Sequence, residues 1–334
     1  MNIYEVEYNI SSKDDSKYIV LSDFHGYFDK RLAYLVSNEE IDYVVIAGDL
    51  LDGYQWVKKK KLDEVRSFLT IIAEKHPVIV ALGNHDLFNL SKKGLNNYKS
   101  LKNIDNVYPL YKDSVIIGNN RFTNFLPNHK SFSYPMQDSR KTINELLRTI
   151  KNIEPVDKNS KYIEHLVAHN PYHFNHEVIR KEISSNYDVI ETGHFHDGWV
   201  PTKILDKRYN KYMDKGIHEL LFKIFSFKKD NSLVVKPKRN LSRGVVYIFK
   251  DGYIVLLPDD SVYYYNYDSN RYFIKDKEYL NNRLNEGNVP SLIINGAVNT
   301  FMRLKMFYPY ITKVNLTKEK NIHESNRQVK RNTK

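Results

Sequence analysis

The stretch Asp42–Asp86 opens with DYVVIAGD, closes with PVIVALGNHD and carries LDEVRSFLTIIAEKH between them, at Leu62–His76. The two outer segments are short runs rich in Val and Ile that end in polar clusters, a pattern typical of buried strands. In the middle segment the apolar residues recur at helical spacing, which predicts an amphipathic helix. Strand, helix and strand in this order predict parallel strands with a helix packed on them, and therefore an α/β fold.

The same pattern recurs along the chain. Three more apolar runs end at a polar residue: KYIVLSD (Lys17–Asp23), HLVAH (His165–His169) and YDVIETGH (Tyr187–His194). Their Val and Ile content predicts strands, and helices are predicted near Thr142–Lys151 and around Asn175–Ser185. Four later runs predict strands and hairpin turns that complete a sheet, namely GVVYIFKDGYIVLL, SVYYYNY, SLIINGA and YITKVNL.

The composition is that of a soluble globular protein, with 41% hydrophobic and 27% charged residues. No apolar run reaches the roughly 18 residues that a membrane span needs, so no transmembrane helix is expected. The opening residues, MNIYEVEYNISSKDD, lack the basic and apolar regions of an export signal, which favours a cytoplasmic protein. There is no cysteine, so any metal must be held by His, Asp, Glu, Asn or backbone oxygen.

The net charge of +11 favours anionic partners: phosphates, nucleic acid or a membrane surface at which the protein is peripheral. A bias towards Lys, Asn and Tyr that reflects the base composition of the genome is the simpler alternative. The lysine run Lys58–Lys61 is expected to form a solvated loop, with a place at the mouth of a phosphate site as the alternative.

Polar side chains able to bind a metal stand at the ends of the five strands predicted between Lys17 and His194. Because the carboxyl ends of parallel strands meet at one edge of a sheet, we expect these side chains to converge. Imidazole and carboxylate together suit Mn, Fe or Zn better than Mg or Ca. Two such ions sharing a carboxylate activate water and bind a phosphoryl oxygen. The candidate residues are Asp23, His25, Asp49, Asn84, His85, Asp86, His169, His194 and His196.

The series SDFH, GDLLD, GNHD, a lone His and GHFH, within Ile19–His196, resembles the calcineurin-like metallophosphoesterases. The pattern of that family is D-x-H, G-D-x-x, G-N-H-[DE], H and G-H-x-H, and no element is missing here. The resemblance implies a four-layer α/β sandwich, in which two mixed β-sheets pack face to face with helices outside both. It also implies hydrolysis of a phosphomonoester or phosphodiester.

The resemblance implies a role for each candidate residue. A hydroxide held between two divalent metal ions would attack phosphorus, and His85 would donate a proton to the leaving oxygen or stabilise its charge. Asp86 fixes the tautomer of His85 and raises its pKa. For Asp52, a hydrogen bond to the site and a simple turn with Gly53 remain alternatives. The implied ligands share Asp49 as the bridge: Asp23, His25, Asp49 and His196 for one ion, and Asp49, Asn84, His169 and His194 for the other.

A looser likeness reaches Leu316. The segments HNPYHF, GDLLDG, GHFHDGW and a late strand-rich segment are similar to the branch with bacterial membrane-associated and lipid-phosphate-cleaving members. Four residues depart from that branch: Phe195, Asp197, Tyr172 and Asn295. These departures leave the predicted metal ligands alone and put the substrate in doubt.

We expect a single domain over residues 1–316, a basic insertion at about 203–239 and a basic, flexible tail over 317–334. Within the insertion, Gly216–Lys229 is interpreted either as a helix packed on the core or as a membrane-surface segment.

A nuclease and a cyclic-nucleotide phosphodiesterase of the same fold are the alternative enzymes. A scaffold without catalysis is the non-enzymatic alternative. The physiological substrate and the oligomeric state stay open.

Overall fold

The structure of the chain is a computed structural model. It describes residues 4–12, 14–127, 140–153, 160–170, 179, 182, 186–194, 245–249, 251–256, 262–266, 268–269, 271–285, 291–295, 299–301, 306–308 and 310–318. The basic insertion at 203–239, residues 319–334 of the predicted tail, most of the helix predicted around Asn175–Ser185, and both Phe195 and His196 lie outside these residues.

Seventeen strands occur in the described residues. They are β1 (Tyr4–Ser12), β2 (Ser16–Leu21), β3 (Tyr43–Ile46), β4 (Val78–Val80), β5 (Val107–Pro109), β6 (Val115–Ile117), β7 (Asn120–Asn124), β8 (Ile163–Val167), β9 (Val189–Thr192), β10 (Val245–Ile248), β11 (Gly252–Leu256), β12 (Val262–Asn266), β13 (Arg271–Lys275), β14 (Ser291–Asn295), β15 (Asn299–Phe301), β16 (Met306–Tyr308) and β17 (Tyr310–Lys318).

The same residues form six α-helices and two 3₁₀ helices. The α-helices are α1 (Lys30–Ser37), α2 (Lys59–Ala73), α3 (Asn84–Leu87), α4 (Lys92–Lys99), α5 (Arg140–Lys151) and α6 (Lys277–Asn285). The 3₁₀ helices cover Gly53–Val57 and Ser100–Asn103. Within the part of the chain that the structure describes, no helix has the length and apolar character needed to cross a bilayer.

The strands form two mixed sheets and a two-stranded ribbon. The six-stranded sheet has the order β1-β17-β2-β3-β4-β5, and β2 to β5 run parallel. The nine-stranded sheet has the order β13-β12-β11-β10-β14-β9-β8-β7-β6, with β14, β9, β8 and β7 parallel. The five polar clusters of the sequence follow parallel strands of these sheets, namely β2, β3, β4, β8 and β9, so the carboxyl ends of these strands carry the candidate site.

Alternate residues of the central strands face different layers. Tyr18 and Val20 of β2 join a buried cluster with residues of the nine-stranded sheet such as Ile163. Ile19 and Leu21, on the other face, join a cluster with the apolar residues of α1 and α2. Because successive side chains of a strand point to opposite faces, β2 is apolar on both. The sheets therefore pack face to face with helices flanking them, and the predicted fold class is confirmed.

A polar network is buried between the two sheets. His165 Nδ1 lies 2.6 Å from Glu191 Oε1, and His165 Nε2 lies 2.9 Å from Asn120 Oδ1. Tyr18 donates to the same Glu191 oxygen at 3.3 Å, and Tyr43 donates to Asn120 at 3.2 Å. These side chains belong to β2, β3, β7, β8 and β9, so the hydrogen bonds of the network link the two sheets.

The lysine run is not a loop, and that expectation is wrong. Lys59–Lys61 form the first turn of α2, which begins three residues before the predicted start at Leu62. Lysine is a good helix former, so the run continues the helix that the apolar spacing predicts. Lys58, Lys59 and Lys60 are exposed, whereas Lys61 Nζ donates to the Gly26 carbonyl at 2.7 Å.

Candidate active site

The predicted metal-binding side chains converge at the carboxyl ends of the parallel strands. Asp23 and His25 follow β2, Asp49 follows β3, and Asn84 opens α3 directly after β4. His169 follows β8 and His194 follows β9, so both sheets contribute to one site. His196 lies outside the described residues, so the contacts given below do not include it.

The backbone turns sharply at these strand ends. Asp23, His25, Asp49 and His194 have φ values of 64°, 49°, 56° and 76°, in the left-handed region that non-glycine residues rarely adopt. Only two other described non-glycine residues share this conformation. Left-handed backbone costs roughly 1–2 kcal/mol per residue, so its concentration here indicates that the fold holds these side chains in strained positions.

Two groups of candidate ligands share Asp49. Asp23, His25 and Asp49 form one, and Asp49, His169 and His194 form the other. Within each group, one ligand atom per residue lies within 4.8 Å of the others. The sharing of one carboxylate is the arrangement that a pair of metal ions requires, and it agrees with the ligand sets that the family resemblance implies, apart from His196.

The carboxylate of Asp49 is held by one oxygen. Its Oδ1 accepts a hydrogen bond from the backbone N–H of His85 at 2.8 Å. Its Oδ2 is buried without a hydrogen bond among the described residues, 3.1 Å from His169 Nε2 and 3.7 Å from His25 Nε2. Burial alone would raise the pKa of Asp49, but His169 and then His25 hold it well below its usual range. Asp49 therefore stays ionised.

A hydrogen bond to the backbone fixes the orientation of the His169 ring. Its Nδ1 lies 2.6 Å from the Ala47 carbonyl, to which it donates, so Nε2 faces Asp49 and Asn84. Burial would lower the pKa of His169, but the Asp49 carboxylate outweighs burial and raises it to about 9. The site therefore stabilises positive charge at the point where these three side chains meet.

Asn84 and His194 complete this side of the site. Asn84 Oδ1 lies 3.1 Å from His169 Nε2 and 2.8 Å from His194 Nδ1. The backbone N–H of His194 donates to both carboxylate oxygens of Asp23, at 3.0 and 3.1 Å. His194, which follows β9, is thus hydrogen-bonded to Asp23, which follows β2.

Close approach of the backbone to Asp49 depends on Gly83. A Cβ at this position would lie 2.1 Å from Asp49 Oδ1 and 2.5 Å from the Asp49 nitrogen. No side chain fits at that distance, so the Gly of the GNHD motif allows α3 to present its first N–H groups to Asp49.

His85 is oriented by Asp52. His85 Nδ1 lies 3.0 Å from Asp52 Oδ1, and this hydrogen bond raises the pKa of His85 above its usual value. The ring packs edge to face against His25, with ring centres 4.5 Å apart, and its side chain is 42% exposed. Asp52 therefore has the hydrogen-bonding role that the sequence left open. It also caps the 3₁₀ helix that follows.

The predicted contact between Asp86 and His85 is wrong. Asp86 is fully buried and accepts four N–H groups: Gly83 at 2.8 Å, Leu51 at 2.9 Å, Leu50 at 3.3 Å and the Trp56 indole at 3.1 Å. Neighbouring residues of a helix do not face each other, so Asp86 points into the protein while His85 points out. Burial raises the pKa of Asp86 to about 7, while the four donors favour its ionised form.

The residues present fit divalent metal ions. The facing atoms are carboxylate oxygens, an amide oxygen and imidazole nitrogens, a set that suits first-row transition metals. A buried carboxylate oxygen without a hydrogen bond in the described residues, and a field that stabilises positive charge on His169, both favour cations at this point.

Residues 16–198 match the family described as calcineurin-like phosphoesterase, which is more than half of the chain. The chain belongs to this family. This is the family that the sequence motifs resemble. The narrower likeness to a membrane-associated branch receives no support from this match.

Individual relatives of this calcineurin-like phosphoesterase are distant. "Putative phosphoesterase 078R" of Invertebrate iridescent virus 3 is 30% identical over 67 residues, 20% of this chain and 19% of the viral protein. The chain thus spans about a fifth of the length of this curated relative.

Two solved structures share a distant similarity with the chain. TT1561 of Thermus thermophilus is 9% identical, with 78% of this chain and 99% of that chain covered and a TM-score of 0.36. A dimetal phosphatase from Danio rerio is 14% identical, with 72% and 95% covered and a TM-score of 0.37.

Proposed function

We propose that this protein hydrolyses phosphomonoesters or phosphodiesters with two divalent metal ions bound at the converging strand ends. The observation that carries the proposal is the pair of ligand groups that share Asp49. Asp23, His25 and Asp49 would hold one ion, together with His196; Asp49, Asn84, His169 and His194 would hold the other. When bound, the two ions would supply Lewis acidity that activates water and neutralises charge on the phosphoryl group.

The chain's own residues would prepare this chemistry in three ways. The Ala47 carbonyl keeps His169 Nε2 directed at the site, and the His85 N–H leaves Asp49 Oδ2 available to a cation. His85, held through Nδ1 by Asp52, would carry a proton on its outward Nε2 for the leaving oxygen. Its raised pKa favours the protonated form that a proton donor needs.

A single domain over residues 1–316 remains our proposal for the organisation of the chain. Its support is β17, which lies between β1 and β2 in the six-stranded sheet and so joins the end of the chain to its start. This strand runs to Lys318, two residues past the proposed boundary. The likeness to the bacterial lipid-phosphate-cleaving branch rests on sequence motifs alone and is also kept as a proposal.

Removal and return of metal tests the proposal. After treatment with a chelator we expect hydrolysis of p-nitrophenyl phosphate and bis-p-nitrophenyl phosphate to stop, and to return with Mn, Fe or Zn. Titration followed by elemental analysis should give two ions per chain. The same panel, extended to cyclic nucleotides, single-stranded DNA and nucleotide-linked diphosphates, separates monoesterase from diesterase activity. Full activity in the chelated protein, or saturation at one ion, would contradict the two-metal proposal.

Replacing His85 with alanine is expected to lower the rate while leaving the metal content unchanged. The backbone N–H of residue 85, rather than its side chain, contacts Asp49, so H85A keeps this contact. A general acid contributes about 10²- to 10⁴-fold, and the loss should be largest for alkyl phosphoesters, whose leaving groups need a proton.

The matched variant Asp52→Asn keeps the shape of the hydrogen-bonding partner and removes its charge. Asp52→Asn should lower the rate less than H85A does, and its loss of rate should also be largest for alkyl phosphoesters. If H85A strips metal from the protein, His85 is a ligand and the assignment as proton donor fails.

A further inference from the structure

Exposed aromatic rings are concentrated beside the active site. Eight large hydrophobic side chains are exposed among the described residues, and three of them are aromatic residues within three positions of a site residue. Tyr27 follows His25 and is 48% exposed; Tyr54 follows Asp52 and is 47% exposed; Phe88 follows His85 and is 50% exposed. We call Tyr27, Tyr54 and Phe88 the aromatic rim.

The three turns that carry the rim pack on one another. A Cβ added to Gly26 would lie 2.8 Å from the side chain of Gln55, and one added to Gly53 would lie 2.1 Å from the Phe88 carbonyl oxygen. Lys61 ties α2 to the first turn through the Gly26 carbonyl, with its Nζ 6.0 Å from the centre of the Tyr27 ring. The turns that carry the three rings are therefore neighbours in the fold.

The chain segments that carry Tyr54 and Phe88 are rich in lysine. Residues 53–61 contain four lysines and residues 87–99 contain three, and neither segment contains an acidic residue. Lys58 Nζ lies 4.5 Å from the centre of the Tyr54 ring, and Lys92 and Lys93 at the start of α4 are exposed. The two basic segments are joined where Asn97 Nδ2 donates to the Trp56 carbonyl at 2.8 Å.

Half-exposed rings flanked by exposed cations match one ligand chemistry closely. Proteins bind single-stranded nucleic acid by stacking bases on aromatic side chains while a basic surface follows the phosphates. An isolated apolar patch would explain the rings alone, and a solvated charge run would explain the lysines alone. Their combination beside a phosphoesterase site matches a ligand with both flat rings and repeated negative charge.

We propose that the aromatic rim and Lys58 form a subsite that stacks the bases of single-stranded nucleic acid next to the scissile phosphate. The proposal rests on the proposed phosphoesterase function, which it narrows to a nucleic-acid substrate. Tyr27, Tyr54 and Phe88 supply ring faces, and the lysines contact neighbouring phosphates. Specificity for the kind of base is not expected, because every base presents a π-face.

Fluorescence anisotropy with the full-length, metal-supplied protein tests the subsite. The probe is a labelled oligothymidylate with phosphorothioate linkages, which resist cleavage. The control ligand is an abasic strand of the same length and charge, which has no bases to stack. Tyr27→Leu, Tyr54→Leu and Phe88→Leu each keep an apolar side chain but remove the ring. Phe273→Leu is the control, because Phe273 is also exposed, at 40%, and lies on β13 away from these turns.

Each rim variant should weaken binding of the oligothymidylate by about fivefold or more, since stacking contributes about 1–3 kcal/mol per base. Binding of the abasic strand should be unchanged, and Phe273→Leu should match the unaltered protein. Unchanged oligothymidylate binding, or equal losses for both strands, would overturn the proposal. So would loss of binding to vesicles of phosphatidylcholine and phosphatidylglycerol without loss of oligothymidylate binding, because the rim would then be a membrane contact.

Hydrolysis of p-nitrophenyl phosphate, measured with the same protein preparations, tests the proposed phosphoesterase activity independently of the proposed nucleic-acid subsite. If the protein hydrolyses this ester but the rim variants bind oligothymidylate normally, the subsite proposal alone fails. If no phosphoester is hydrolysed but binding depends on the rim and on the bases, the proposed catalysis fails and the subsite stands.

Discussion

Asp49→Asn is expected to remove metal from both halves of the site and to lower kcat/KM by more than about 100-fold. Loss of a hydrogen bond that only supports a ligand already costs roughly 10- to 100-fold in metal affinity or activity, and Asp49 stands in both ligand groups. The substitution removes the charge that faces His25 and His169 at 3.7 and 3.1 Å. Elemental analysis and steady-state kinetics with Mn measure the two effects.

Asp42→Asn is the matched control for Asp49→Asn. Asp42 directly precedes β3, accepts the Lys17 N–H at 2.7 Å and is exposed, so it loses the same charge without touching the site. Its kcat/KM and metal content should equal those of the unaltered protein. Near-normal activity of Asp49→Asn in the presence of Mn would contradict a shared carboxylate.

Asp86→Asn is expected to lower the free energy of unfolding by about 2–4 kcal/mol. Each hydrogen bond to a charged group is worth about 1.5–3 kcal/mol, and a buried polar group left unmatched adds a further cost. The carboxylate accepts four N–H groups, whereas an asparagine amide offers one oxygen and turns its own N–H groups towards the remaining donors. Urea unfolding followed by fluorescence of the buried Trp56 measures the change.

Asp63→Asn is the control for the effect of Asp86→Asn on stability. Asp63 lies on the exposed face of α2, and its substitution should leave the unfolding free energy within about 0.5 kcal/mol of the unaltered protein. If Asp86→Asn instead keeps full stability and loses only catalytic rate, Asp86 acts on the reaction as the family resemblance implied. The observed contacts predict loss of stability, with any loss of rate following from movement of α3.

Strands β2, β3 and β4 and helix α2 were predictable because their hydrophobic patterns are clear in the sequence. In β2, β3 and β4 nearly every residue is buried on both faces, which gives unbroken apolar runs, and α2 has a clear helical repeat. Strands β5, β6 and β7 gave no such signal, because most residues of β5 and β6 are only partly buried and the sequence of β7 is mainly polar. In β7 the buried Asn120, Thr123 and Asn124 are polar, so their burial depends on partners from other strands.

The convergence of the candidate side chains was predictable, but the contacts between them were not. Each motif ends a strand, and parallel strands bring such ends together, so the sequence order was sufficient to predict convergence. Which carboxylate supports His85 was not predictable in the same way. Asp86 is its neighbour in sequence, but Asp52 is its neighbour in space, and only the packing of the 3₁₀ helix beside α3 distinguishes them.

The position of β17 has a consequence for biosynthesis. This strand fills the place between β1 and β2, and its last residue, Lys318, bonds through its N–H to Asp15, 303 positions earlier in the chain. During translation, β2 therefore has an open edge until the ribosome has released β17. An open strand edge is a template for unwanted pairing, and contacts of such long sequence separation form slowly. Although β3 pairs with the other edge of β2, the edge that faces β17 stays open until residues 310–318 have been made, and we expect misfolding to begin at this edge.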